Sequence, residues 1–148
     1  MNPKLKTVSS LYEEDFALWI ERTAQLLREH SFEEVDWENV IEEIESLFKS
    51  DRRALRSQIV RVLKHLLKLD YQPRTYPPTN WLTSIADGRT QIELIIEDSP
   101  SLKPYLAEVL SECYHKAVRE ASTETRLPIE TFPSACPYTL NEVMNLPF

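Results

Sequence analysis

Residues 36–73 read DWENVIEEIESLFKSDRRALRSQIVRVLKHLLKLDYQP, and this stretch decides the fold. Val40, Ile44, Leu47, Phe48, Leu55, Ile59, Val62, Leu63, Leu66 and Leu67 recur at three- and four-residue steps, the repeat of one buried helical stripe. Asp36 is a good N-cap, and Val35 and Val40 have the spacing of a hydrophobic staple around it. At the far end Pro73, Pro77 and Pro78 cannot continue a helix. The helix so defined has roughly 34 residues, longer than the common globular range. Any bend or break in a helix of this length would fall at Lys49-Ser50-Asp51. Its acids Glu38, Glu42, Glu43 and Glu45 come early and its bases late, an order that suits the helix macrodipole.

Working outward, the upstream segment predicts one helix from a cap at Ser9 or Ser10 to about Glu29. Leu11, Tyr12, Phe16, Trp19, Ile20, Thr23, Leu26 and Leu27 form its wide apolar stripe. A turn at residues 30–35 leads into the long helix. Downstream, Asn80 caps a third helix from Trp81 to about Glu97, with Ile85, Ile92, Leu94, Ile95 and Ile96 facing inward. Ser99 and Pro100 open a fourth that runs to about Thr123, its stripe including Leu102, Leu106, Val109, Leu110, Cys113, Tyr114, Ala117 and Val118. ETRLPIETFPSACPYT, residues 124–139, then reads as a proline-rich strap tied down by Leu127, Ile129 and Phe132. Thr139 and Glu142 make a capping box for a short last helix ending near Leu146. The reading is an all-α bundle of four main helices organised on the long one, with a Pro-rich C-terminal strap. Residues 1–10 form a flexible lead-in and residues 11–148 a single helical domain.

Composition narrows the function classes. With one glycine, Gly88, in 148 residues, glycine-rich phosphate loops and dinucleotide-binding turns are nearly excluded. A net charge of −7 argues against generic nucleic-acid binding, which needs a basic footprint. Cys113 and Cys136 form no metal-ligand pattern and read as free thiols of a reducing cytoplasm. No apolar run is long enough for a signal peptide or a membrane span. Neither a cofactor nor a metal site is expected.

One polar feature stands out. Arg53, Ser57, Arg61, Lys64 and Lys68 lie three or four residues apart and share a face of the long helix, with His65 beside them. They form a candidate binding ridge for an anion, and the bland alternative is a solvated basic face. His65 is the candidate catalytic residue, but general acid–base work needs a partner within hydrogen-bond reach, and Glu42 and Glu45 are several turns away. The arginine–histidine spacing of HEPN-type ribonucleases, four to six residues between the pair, is not met. Arg61 leaves three residues before His65, and Arg56 leaves eight.

DWENVIEEIESL, RALRSQIVRVLKHLLK, YQP, NWLTSIADGR, DSPSLKPYL and TFPSACPYT, in this order, give the chain a specific likeness. From about Leu11 to Phe148 it resembles the bacterial domain-of-unknown-function family numbered twenty-nine. It departs from that pattern at Phe48, where the family has glycine, and at Tyr138, where tryptophan is common. The resemblance implies an all-helical fold and no established activity. Within the matching stretches Glu42, Glu45, Arg89 and Tyr114 are read as a buried polar cluster that fixes bundle register. The leading functional expectation is a non-enzymatic cytoplasmic adaptor or regulatory protein with a protein partner or self-association. The alternatives are a helical nuclease or other hydrolase using His65 with nearby Arg or Lys, and nucleic-acid or anion binding by the Arg53–Lys68 ridge.

Overall fold

The computed structural model describes residues 7–73 and 78–147. It is all-α, and no strand occurs among the described residues. The helices are α1 (Val8–Glu14), α2 (Phe16–Arg28), α3 (Trp37–Tyr71), α4 (Thr79–Asp98), α5 (Lys103–Thr125) and α6 (Leu140–Asn145). The long helix forms as expected and runs 35 residues without interruption. The chain divides by its own contacts into two compact units, Met1–Lys49 and Ser50–Phe148, so the division falls at Lys49-Ser50 within α3.

In the N-terminal unit, the single helix expected from Ser9 or Ser10 to Glu29 is two helices. The Asp15 carboxylate accepts the Leu18 N–H and so caps α2, a competing use of the backbone that breaks the run. Thr7 caps α1, which places Val8–Ser10 in a helix and not in the lead-in; residues 1–6 lie outside the described residues. Leu11, Trp19, Thr23 and Val35 are buried here. The indole N–H of Trp19 donates to Asp36 at 3.3 Å, and the Tyr12 hydroxyl donates to Glu43 at 2.5 Å. These two bonds tie α2 and α1 to the first turns of α3.

In the C-terminal unit the rest of α3 packs with α4 and α5 around one core. Leu55, Ile59, Val62, Leu63, Leu66 and Leu67 of α3 meet Ile85 and Ile92 of α4 and the stripe of α5. The one glycine sits where α4 packs against Val62 of α3. A Cβ on Gly88 would lie 2.7 Å from a methyl group of Val62. Helix α4 starts at Thr79 after Pro78, so Asn80 lies in its first turn and is not its cap; Leu94 is exposed. The Ser99-Pro100 start opens as a 3-10 turn, Pro100–Leu102, that leads into α5. The strap is anchored by buried Phe132 and half-buried Leu127, whereas Ile129 is exposed. At its end the capping box of Thr139 and Glu142 forms in full at the start of α6.

Candidate functional site

Four of the five ridge residues and His65 come together. Arg53, Ser57, Arg61 and Lys64 line one wall of a groove of about 740 Å³ in the C-terminal unit, with His65 beside them. Helix α5 supplies the opposite wall through Lys116, Arg119 and Glu120. Lys68 is not part of it. Its ammonium is buried, ion-paired with Glu124 and 5.5 Å from the centre of the Trp81 ring. The groove thus has cations on both walls: Arg53, Arg56, Arg61 and Lys64 from α3, Lys116 and Arg119 from α5, against the single acid Glu120.

Some of this charge is already engaged. Arg61 lies 3.6 Å from Asp87, Lys64 3.1 Å from Glu124 and 3.6 Å from Glu120, and Lys116 3.1 Å from Glu112. Arg56 donates to the Tyr105 hydroxyl at 2.6 Å. Burial pulls the Glu124 carboxyl up, but hydrogen bonds from Lys68 and Lys64 outweigh it and hold the group below the usual carboxylate range. The Arg61–Asp87 and Lys116–Glu112 pairs, exposed on both partners, are worth little and exchange readily for a stronger anion.

His65 is buried, and its Nδ1 lies 2.8 Å from the Arg61 carbonyl oxygen. A carbonyl only accepts, so Nδ1 carries the proton and donates. In the neutral ring Nε2 is therefore the acceptor. Burial lowers its pKa, and the charges of Lys68 and Lys64 push the same way, so the ring stays neutral.

The expected buried cluster of Glu42, Glu45, Arg89 and Tyr114 does not assemble. Glu42 and Glu45 are exposed in the N-terminal unit. The Arg89 guanidinium donates to the Val143 and Glu142 carbonyls at 2.8 and 3.2 Å and so holds the end of α6. Tyr114 donates to the Pro133 carbonyl and pins the strap, its hydroxyl pKa pushed up to about 12 by burial. Both cysteines are free; burial pushes the Cys113 thiol up to about 11, that of an unreactive core group. Among the described residues no group of three or more His, Cys, Asp and Glu is placed to hold a metal ion.

A second feature contradicts the sequence reading outright. Ile44, Leu47 and Phe48 are not buried. They are 61%, 69% and 50% exposed, with Trp37 and Ile41 also open on the same helix and Phe16 and Ile20 on α2. Trp37, Ile41, Ile44 and Phe48 step by four, three and four residues, and seven residues on the identical spacing resumes at Leu55, Ile59, Val62 and Leu66. One stripe therefore runs the length of α3, sealed in the C-terminal unit by α4 and α5 and open in the N-terminal unit. Exposed Glu38, Glu42 and Glu45 share its flank. The formal charge follows the same division. Residues 1–49 hold twelve acids and five Lys or Arg, a net −7, while residues 50–148 hold twelve of each.

The fold and these two surfaces define a class: an all-helical protein built on one continuous helix, with no helix among the described residues long and apolar enough to cross a membrane. The family model described as Domain of unknown function DUF29 matches residues 11–148, and the chain belongs to that family. No curated protein and no solved structure matches it.

Proposed function

We propose that the protein is a non-enzymatic cytoplasmic adaptor whose N-terminal unit docks a helical segment of a partner protein, apolar on one face and basic on its flanks. The open half of the α3 stripe carries this reading. A row of large apolar side chains 46–69% exposed is costly in water and marks an interaction surface. The nature of the occupant follows from the same helix, because helices α4 and α5 cover the continuation of that stripe. Its charge follows from Glu38, Glu42 and Glu45, which favour Lys or Arg opposite them and repel a second copy of the same face. The two free thiols agree with a reducing compartment.

The test uses two synthetic helical peptides of about 18 residues with the same leucine stripe, one flanked by lysines and one by glutamates. Fluorescence anisotropy on the full chain is expected to show the lysine peptide binding at least about tenfold more tightly, a difference of about 1.4 kcal/mol. Leu47→Glu or Ile44→Glu, both at exposed positions, abolishes that binding. Equal affinity for the two peptides overturns the proposal. So does a stable dimer in light scattering that Leu47→Glu converts to monomer, since the face would then serve self-association.

A further inference from the structure

We infer that the groove between α3 and α5 is a binding site for the ribose–phosphate backbone of RNA, independent of the docking face of the N-terminal unit. Three observations on that groove lead to this ligand.

The first is the two-walled placement of charge. A solvated helix face spreads its cations outward, whereas here Arg53, Arg56 and Arg61 on α3 face Lys116 and Arg119 on α5 across one concavity. The guanidinium groups of Arg53 and Arg119 have no hydrogen-bond or ion-pair partner among the described residues. From Arg53 to His65 the α3 wall is about 18 Å long at the helical rise, room for several phosphates in series. The net −7 of the chain does not oppose this, because it resides in residues 1–49.

The second is the groove's acceptor. His65 lines the groove with its Nδ1 proton held by the Arg61 carbonyl, so in the neutral ring Nε2 is the acceptor. A chain of bare phosphates has no donor to match it at neutral pH. A ribose 2′-hydroxyl does, and that group is what separates RNA from DNA at a protein site. Ser57 on the same wall adds a hydroxyl that both donates and accepts.

The third is that no phenylalanine, tyrosine or tryptophan stands among the lining residues. The groove thus offers no large ring as a stacking platform, and its cations favour recognition along the backbone, which carries little sequence preference.

The experiment is anisotropy titration of the full chain with a labelled uridine oligonucleotide of about 12 nucleotides, its 2′-deoxy counterpart, and tripolyphosphate as competitor. RNA is expected to bind at least tenfold more tightly than the deoxy strand, with log K falling linearly in log salt. Arg53→Glu with Arg119→Glu, both at exposed positions, is expected to weaken RNA at least tenfold while leaving the thermal midpoint in place. Four results overturn the inference: no RNA binding in low salt, equal binding of the two strands, full displacement by tripolyphosphate, or indifference to the double substitution. The comparison of strands reads the ribose contact without altering His65. Because neither the peptides nor Leu47→Glu enters this assay, its failure leaves the docking proposal untouched.

Discussion

Gly88 and His65 show what single residues contribute. In the sequence Gly88 serves mainly as an argument by scarcity. In the fold it lets α4 approach α3, since any side chain there meets Val62. Alanine would gain about 1 kcal/mol of helix propensity, but Val62 is β-branched and has little freedom to retreat. Gly88→Ala is therefore expected to destabilise the chain by about 1–2 kcal/mol net, and Val62→Ala in the same chain should recover part of the loss; urea denaturation of the three variants decides. His65 supplies a pH signature. Its folded pKa is lowered, first by burial and then by Lys68 and Lys64, against the raising influence of the Arg61 carbonyl and Glu124. The unfolded chain takes up a proton near the ordinary value of about 6.5 while the fold does not. Stability from this residue is thus full above that value and falls as pH drops through it towards the folded pKa, with a slope of at most about 1.4 kcal/mol per pH unit. Denaturation between pH 7.5 and 5 should show this slope in the native chain and lack it in His65→Gln.

At the scale of elements, α3 explains both the success and the failure of reading the sequence. Its period, ends and length are legible because proline and a four–three–four repeat are local chemistry. The same repeat hides the difference between its halves. Periodicity states that a stripe exists, not that anything covers it, and the stripe through Ile44 and Phe48 is written in the same residues as the one through Ile59 and Leu66. Stability measurements separate them. Leu66→Ala is expected to cost about 2–5 kcal/mol as a core truncation, whereas Leu47→Ala should stay within about 0.5 kcal/mol. A comparable loss at both positions in urea titrations would show that the first half of the stripe is core after all. The groove was half legible for a similar reason. Arg53, Ser57, Arg61 and Lys64 share a helix and can be aligned by counting, but Lys116 and Arg119 stand on α5, and no count along the chain says which helix α5 faces. Lys68 has the right spacing and the wrong surroundings, because Glu124 and Trp81 enclose it.

For the whole molecule, the net charge of −7 conceals two differently charged units. The acids of residues 1–49 gather where the apolar stripe is open, and the balanced residues 50–148 hold the basic groove. An acidic, apolar surface and a cationic, polar one suit different partners, and the two proposals assign a protein segment to the first and a polyanion to the second. The proposed adaptor role depends only on the first. Hydrogen exchange of the full chain, with and without the lysine-flanked peptide, tests it most directly. New protection is expected at residues 16–20 and 37–48, with unchanged exchange at residues 53–65. Protection confined to residues 53–65, or none at residues 37–48 under saturating peptide, would contradict it.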